Sequence, residues 1–370
     1  MISVPGRVNL IGEHIDYHGL PVLPIAIRRY VNVSFRPRPD LMVSASSAGY
    51  ARCEFEWTPE LEPAEAGNWE NYLRAAALCA HKLWPGARAG IDAEVTSDLP
   101  AAAGLSSSSA LLVAFTLALL RANRCEAGFE ELMAVLPDGE QFVGTRGGGM
   151  DHAAVLASRP GCASLIEFEP LSVHAIPIPP DWGFLVAHSL ATAEKSGGAR
   201  EAYNARRIAG TTALRRLGFP SYRAAIESGA TADSLPTQEE RDGFLHVTSE
   251  ALRVQAVVKA LEQQDGAAFG ALLLASHGSL RDRLKVSCPA LDRLVDAAME
   301  AGASGARLTG AGFGGCVVIF APKADLPAVR ARLIDRYYSR RPGFREDDHL
   351  IDADPGPGVL YQEEHATPHH

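Results

Sequence analysis

The sequence has few features that would tie it to nucleic acid, a membrane surface or an oxidising compartment. Its 370 residues carry 35 Lys and Arg against 44 Asp and Glu, a formal net charge of −9. This balance argues against a general nucleic-acid or membrane-surface binder, which needs a basic footprint. The six cysteines form no CxxC pair and no zinc pattern, which predicts reduced thiols in a cytosolic protein.

Two further absences concern targeting and phosphate binding. The opening segment has no basic stretch followed by an apolar one, so we expect no signal peptide. The most apolar run, residues 110–120, is far shorter than the roughly 20 residues that span a bilayer. We therefore expect a cytoplasmic protein. The chain also lacks GxxxxGK[ST], so a phosphate site must be built without a Walker-type P-loop.

The pattern along the chain predicts two domains that mix strands and helices. A chain of this length suggests two domains at roughly 100–200 residues each. Apolar stretches over 24–35, 41–55 and 182–188 read as strands, and residues 91–96 alternate as in a half-buried strand. The second half is helix-rich, with helical patterns over 247–264, 291–301 and 325–337 and a short strand at 316–320. We expect the tail 363–370 to be frayed, and its histidines to bind no metal.

A serine-rich loop at residues 100–110 is the first candidate site. A strand followed by a glycine-containing loop and a buried helix would expose unpaired backbone N–H groups at the positive end of the helix dipole. Such a helix start suits phosphates, and Gly104 would let the backbone approach them closely. The alternative interpretation is a serine-rich cap on a core helix.

Three more segments concentrate polar or glycine residues. Residues 6–17 place Arg, Glu, His and Asp within a short span, as a polyhydroxylated ligand requires, although a surface loop with an ion pair would look similar. Residues 145–152 set three glycines before Asp151, which suggests either a carboxylate facing a ligand or a helix-capping Asp. Residues 310–315 carry four glycines before a strand, a weak indication of close backbone approach.

Together these segments resemble the GHMP family of small-molecule kinases, and most closely its galactokinase branch. Gly6 to Tyr17 is similar to GRVNLIGEHxDY, Leu99 to Ala110 is similar to LPxxxGLSSSxA, and Leu308 to Cys316 reads LTGAGFGGC without change. Residues 203–207 and 276–289 resemble two further segments of that branch. The resemblance runs from about residue 3 to about residue 322.

The resemblance implies an α+β, two-domain GHMP kinase fold with the active site in the cleft between domains. The N-terminal domain, 1–175, would carry the sugar- and ATP-binding loops, and 176–370 would form the C-terminal domain. The implied reaction is ATP- and Mg²⁺-dependent phosphorylation of galactose at its C1 hydroxyl. The implied partners are the sugar and ATP, with no nucleic acid and no membrane, in a monomer or weak homo-oligomer.

Site residues follow from the same resemblance. Asp151 matches the general base, and Arg7 matches the arginine that interacts with it and with the phosphates. The sugar-binding positions match Glu13, His14, Asp16, Gly148 and Tyr203. The ATP-binding positions match Trp69 near the adenine and, at the phosphates, Gly104, Leu105, Ser106, Ser107 and Ser108. The expected Mg²⁺ ligands are Ser108 and Glu140.

Several positions depart from the branch pattern. Residues 147–152 read GGGMDH where most galactokinases read CGIMDQ, and this form resembles N-acetylgalactosamine kinases and fungal galactokinases. An N-acetylgalactosamine kinase or another sugar 1-kinase is therefore the alternative function. A non-catalytic galactose sensor is a third possible function, disfavoured by the full-length serine loop.

Four single residues also depart from the pattern. Glu140 lies about one position off the common register, and His152 replaces Gln. We interpret Leu284 and Ala290, also departures, as structural.

Overall fold

The computed structural model describes residues 1–100, 104–144, 147–192 and 198–365. Three parts of the predicted features lie outside these residues: 101–103 of the serine loop, 145–146 of the glycine segment, and the last five residues of the tail.

The first half of the chain builds a twisted sheet from five of its own strands and one from the C-terminus. The strands are β1 (Ile2–Asn9), β2 (Pro24–Pro37), β3 (Met42–Ser47), β4 (Cys53–Glu56) and β5 (Ile91–Ser97). Their order is β1-β2-β5-β3-β4, antiparallel except for β3 against β5. The predicted alternation in β5 is confirmed. The predicted strand over 41–55 is two strands, because the chain turns at Gly49, which has a φ of 82°.

Four helices and a hairpin complete this half. The helices are α1 (Glu70–Leu83), α2 (Ser107–Ala122), α3 (Phe129–Phe142) and α4 (Met150–Ala157). The hairpin is β6 (Cys162–Phe168) with β7 (Leu171–Pro177). Helix α2 is apolar on nearly every side, since it packs between β1 and β2 on one face and α1 on another. The predicted strand and buried helix are therefore present, at Ile91–Ser97 and Ser107–Ala122.

The second half packs helices on a four-stranded antiparallel sheet. The strands are β8 (Trp182–His188), β9 (Gly305–Thr309), β10 (Cys316–Pro322) and β11 (Leu350–Asp352), in the order β11-β8-β10-β9. The helices are α5 (Gly198–Arg216), α6 (Tyr222–Glu227), α7 (Gln238–Glu262), α8 (Gly266–Ser279), α9 (Pro289–Glu300), α10 (Leu326–Leu333), α11 (Glu346–His349) and α12 (Val359–Glu364). π-Helical turns follow α8 at Leu280–Leu284 and α10 at Ile334–Tyr338.

The helices predicted here are largely confirmed. The pattern over 247–264 lies in α7 and the one over 291–301 lies in α9, which ends before Gly302 in the left-handed conformation. The pattern over 325–337 is α10 extended by its π-helical turn, with Asp325 at the N-cap position but without a side-chain cap bond. Leu284 is buried in the core of this half, as a structural residue would be.

The chain end returns to the first half. Strand β12 (Pro355–Gly356) pairs with β2, and α12 packs on α4. The division of the chain at residue 175 therefore stays a prediction, and the C-terminal segment is shared with the first sheet. No helix among residues 1–100, 104–144, 147–192 and 198–365 is both long and apolar enough to cross a membrane.

Candidate active site

Three separate segments meet at the start of α2. Arg7 projects from β1, Gly104 and Ser106 precede α2, and Asp151 lies in the first turn of α4. Arg7 Nε donates to Asp151 Oδ1 at 2.7 Å, and Arg7 Nη1 donates to the Gly104 carbonyl oxygen at 2.6 Å. Ser106 Oγ donates to Asp151 Oδ2 at 2.5 Å. The structure thus brings the predicted base, its arginine and the serine loop into direct contact.

Asp151 is ionised at neutral pH. Burial would raise the pKa of its carboxyl, but the charge of Arg7 and the hydrogen bonds from Ser106 and Arg7 outweigh burial and hold the pKa below its ordinary value. Its side chain keeps 23% of its exposure, against 6% for Arg7. The carboxylate is therefore a charged, partly accessible proton acceptor.

The serine loop presents the N-terminus of α2 without a side-chain cap. Ser106 occupies the N-cap position with a φ of 58°, and its hydroxyl makes no cap bond because it is directed to Asp151. The first-turn backbone N–H groups of this 16-residue helix therefore keep their capacity for an anion. Gly104 and Leu105 anchor the loop on β1: their carbonyl oxygens accept from the Arg7 side chain and from the Arg7 backbone N–H.

Ser109, in the first turn of α2, meets Glu140 of α3. Ser109 Oγ donates to Glu140 Oε1 at 2.5 Å and lies 3.4 Å from Asp151 Oδ2. Ser108 contacts Tyr72 of α1, and its role as a metal ligand stays a prediction. Sequence reasoning missed Ser109, which occupies the variable place of the serine motif; a fourth consecutive serine was the available signal.

His152 is a buried neighbour of Glu140. Its side chain is fully buried, and Nε2 is 3.7 Å from Glu140 Oε1. Neither ring nitrogen has a hydrogen-bond partner among the described residues. Within those residues there is also no group of three or more His, Cys, Asp or Glu side chains that could hold a metal ion. A cation here would need oxygen ligands from a bound substrate as well.

Residues 13–17 lie next to the turn that precedes α4 and Asp151. Asp16 Oδ2 accepts from the Gly148 backbone N–H at 2.9 Å, which joins this segment to the turn before α4. Burial, and then the negative charge of Asp151, raise the pKa of Asp16 to about 6. A Cβ on Gly148 would lie 2.4 Å from the Asp16 carbonyl carbon and 2.5 Å from the Tyr17 nitrogen. Only glycine permits this approach.

His14 and Tyr203 form an aromatic wall next to Asp16. The rings of His14 and Tyr203 are 5.1 Å apart, and Tyr17 packs edge-on against both. Burial lowers the pKa of His14 to about 3, so the ring is neutral. Nε2 faces the Ala311 carbonyl oxygen at 3.1 Å and must donate, so Nδ1 accepts from the Tyr17 hydroxyl at 2.8 Å. Sugar contact by His14 stays a prediction, since both nitrogens are engaged.

The glycine segment after β9 contacts the carboxylate of Glu13. The Gly310 backbone N–H donates to Glu13 Oε1 at 2.6 Å, and Thr309 Oγ1 lies 3.3 Å from the same oxygen. Gly310, with a φ of 86°, places its N–H on this carboxylate. Three buried side chains around Glu13 were missed by sequence reasoning, because no motif marks their positions: His246, Glu250 and Arg307.

Trp69 lies farther from Asp151, at the start of α1. Its indole Nε1 donates to the Ala51 carbonyl oxygen at 2.8 Å, and its ring packs 5.5 Å from that of Tyr50, which is half exposed. One turn along α1, Tyr72 reaches Ser108. An aromatic surface and the serine loop are thus connected through α1.

Three family models match the chain. The galactokinase galactose-binding signature matches residues 1–37, the GHMP kinases N terminal domain matches 71–159, and the GHMP kinases C terminal model matches 257–339. The matched ranges include Arg7, Glu13, Asp151 and Arg307, whose contacts are described above.

Curated and solved proteins agree with these models. The chain is 37% identical to a galactokinase of Roseiflexus sp. (strain RS-1), over 91% of this chain and 87% of that one. It is 35% identical to a galactokinase of Chloroflexus aurantiacus, over 97% and 93%. Lactococcus lactis galactokinase, solved with galactose, superposes with a TM-score of 0.88 at 27% identity, covering 96% and 93%. Methanococcus jannaschii mevalonate kinase shares the fold, with a TM-score of 0.67 at 17% identity, covering 96% and 97%. The chain therefore belongs to the galactokinase family of GHMP kinases.

Proposed function

We propose that the protein transfers the γ-phosphoryl group of ATP to the C1 hydroxyl of galactose. The observation that carries the proposal is the ionised Asp151 carboxylate, held by Arg7 and Ser106 at the uncapped N-terminus of α2. A proton acceptor next to a phosphate-binding helix start is the arrangement that phosphoryl transfer to a hydroxyl requires. The N- and C-terminal domains would enclose this centre, with the division near residue 175.

The helix start and Arg7 would supply the positive side of the reaction. Phosphoryl transfer needs in-line positioning and cancellation of negative charge more than covalent work by the protein. Backbone N–H groups of residues 106–108 would bind the phosphates, with the loop at Gly104 and Leu105 close beside them. Trp69 would border the adenine, since α1 leads from it to the serine loop.

The donor set at Ser109 and Glu140 fits Mg²⁺. Hard oxygen ligands, usually one or two carboxylates plus substrate phosphates, are what this ion takes, and the two side chains already point at one another. Glu140 would hold the ion with Ser109 or the predicted Ser108, and a bound Mg²⁺ would neutralise charge on the phosphates. The protein residues then have only to orient the phosphates and remove one proton.

Asp151 would take that proton from the C1 hydroxyl. Arg7 occupies Oδ1 through both Nε and Nη2, so the capacity for the sugar lies on Oδ2, which accepts from Ser106 and has a second lone-pair site. The oxygen freed of its proton attacks the γ-phosphorus, and ADP leaves on the opposite side. Glu13, Asp16, His14, Gly148 and Tyr203 would surround the sugar and fix its orientation.

Galactose is expected to exceed glucose, its C4 epimer, as a substrate by at least about 100-fold in kcat/KM. A site built to hydrogen-bond a hydroxyl rejects an analogue that leaves buried polar groups unpaired, which is worth about 10²–10⁵. A coupled ADP-release assay over a panel of hexoses measures this. Comparable values for glucose and galactose would contradict the proposed function, and higher values for N-acetylgalactosamine would replace galactose as the substrate.

Replacing Gly148 with alanine is expected to raise the KM for galactose at least about tenfold, because a Cβ would push the backbone of Asp16 and Tyr17 out of place. The KM for ATP should change less, since the added Cβ would meet the backbone of Asp16 and Tyr17 and no atom of the serine loop is among its nearest neighbours. Gly278→Ala is the matched control: a Cβ at that helical position meets nothing within 4 Å. Equal galactose KM values for the two variants would show that the close approach at Gly148 is not needed.

A further inference from the structure

A buried arginine lies directly behind the sugar-binding segment. Arg307, in β9, has no exposed surface, and its Nη2 is 3.6 Å from Glu13 Oε1. Its Nη1 donates to the carbonyl oxygens of Asn9, at 3.2 Å, and Leu10, at 2.9 Å. Burying a guanidinium is costly unless it is paired and hydrogen-bonded. Packing alone would be better served by an apolar side chain, so the position of Arg307 needs another explanation.

Arg307 is one of three groups that hold the same oxygen of Glu13. The Gly310 N–H, the Thr309 hydroxyl and the Arg307 guanidinium all approach Oε1. Oε2, to which none of these three groups is directed, would then accept from a sugar hydroxyl. Burial raises the pKa of Glu13, and the charges of Arg307 and Arg7 oppose that rise. The guanidinium thus favours both the orientation and the charge of the carboxylate.

A second buried acid, Glu250 on α7, lies within electrostatic range of Arg307. Glu250 has no exposed surface; its Oε1 accepts from the Gly12 backbone N–H at 3.0 Å and from the Ser276 hydroxyl at 2.6 Å. Arg253 donates to its Oε2 at 2.7 Å. Burial would raise the pKa of Glu250, but the charges of His246, Arg253 and then Arg307 lower it. The charge of Arg307 thus acts on Glu13 and on Glu250, the acid that holds the backbone of Gly12.

His246, one turn earlier on α7, holds the same backbone at a second point. Its Nε2 faces the carbonyl oxygen of Glu13 at 3.0 Å and must donate, so Nδ1 accepts from the Ser279 hydroxyl at 2.9 Å. The main chain at residues 12–13 is thus fixed by α7, and the Glu13 side chain is fixed by β9 and Arg307.

We infer that Arg307 is a positioning residue for sugar binding: its buried guanidinium holds Glu13 so that one carboxylate oxygen stays directed at a galactose hydroxyl. The inference deepens the proposed function and rests on it, since it requires a sugar on Glu13. In the described part of the chain, the hydrogen bonds and ion pair of Arg307 are with Asn9, Leu10 and Glu13, so its removal is expected to act on galactose and to spare ATP.

The test compares Arg307→Met and Arg307→Lys with the wild type in a coupled ADP-release assay. Arg307→Met is expected to raise the KM for galactose at least about tenfold, the effect of leaving a buried carboxylate without its charge partner. The KM for ATP should stay within about twofold, and Arg307→Lys should recover part of the loss because it keeps the charge. Arg216→Met is the matched control: it removes a guanidinium 3.0 Å from another buried carboxylate, Glu240, outside the site.

A series of monodeoxygalactoses separates positioning from a general loss of stability. The KM penalty of Arg307→Met should disappear for the one sugar that lacks the hydroxyl bound by Glu13, and remain for the others. Equal penalties across the series, or a galactose KM that moves no more than in Arg216→Met, would overturn the inference. If Arg307→Met does not fold, Arg307→Lys decides, and an unchanged galactose KM there overturns it. A wild-type protein inactive on galactose would instead refute the proposed function.

Discussion

Replacing Asp151 with asparagine is expected to lower kcat for galactose phosphorylation by at least about 10²-fold, within the 10²–10⁴ range typical of general-base catalysis. Asparagine keeps the shape of the side chain: its one carbonyl oxygen can accept from Arg7 while its amide donates to the Ser106 hydroxyl oxygen, but it cannot take a proton from the sugar. ATP binding should persist, because the backbone N–H groups at the start of α2 are untouched. Steady-state kinetics together with nucleotide titration measure the two effects separately.

The control for this variant is Asp138→Asn. Asp138 is an exposed carboxylate on α3, paired with Lys82 at 3.1 Å, and such surface pairs contribute about 0–1 kcal/mol to stability. Its kcat should match the wild type. A near-wild-type kcat in Asp151→Asn would remove Asp151 from the role of base, and loss of ATP binding would show that the substitution disturbed the helix start instead.

Local sequence patterns predicted the elements of the fold better than the contacts between them. The alternation in β5 and the apolar run of α2 follow from one face or all faces being buried, and both were visible in the sequence. The packing of residues 355–364 against the first half of the chain was not visible in the sequence, because a two-residue strand has no periodicity. The turn that splits β3 from β4 was masked by apolar residues on both sides of Gly49.

In the candidate active site, too, the contacts between residues were harder to predict than the segments that carry them. Arg7 and Asp151 are 144 positions apart, and only the resemblance to a kinase family paired them before the structure did. Ser109 rather than Ser108 contacts Glu140, since one residue along a helix rotates a side chain by about 100°. Glu250 and His246 resemble the polar face of an amphipathic helix in sequence, yet both are fully buried. Burial of a polar residue depends on tertiary partners, which no local pattern contains.

Replacing Arg7 with methionine is expected to affect both stability and catalysis, because it leaves the Asp151 carboxylate without its charge partner. Removing one member of a buried ion pair costs about 3–5 kcal/mol, and the lower end applies here since Asp151 keeps 23% of its exposure. The turnover should also fall, since Arg7 no longer helps to neutralise the phosphates. Denaturant unfolding and kcat measure the two losses.

A double-mutant cycle with Asp151→Asn tests whether the two residues act as one unit. In the Asp151→Asn background no buried negative charge is left unpaired, so Arg7→Met should cost at least about 1 kcal/mol less stability than it does in the wild type.

The ion pair of Arg7 and Asp151 also predicts that stability depends on pH. The pKa of Asp151 is held below its ordinary value of 3.8, so its contribution is fully present above that pH and is lost as the pH falls through the lowered value. Additive losses in the cycle, together with acid unfolding that is the same in wild type and Asp151→Asn, would show that the contact between Arg7 and Asp151 contributes nothing to the folded state. A coupling energy with unchanged kcat in Arg7→Met would confine the arginine to a structural role and leave the phosphates to the α2 N-terminus alone.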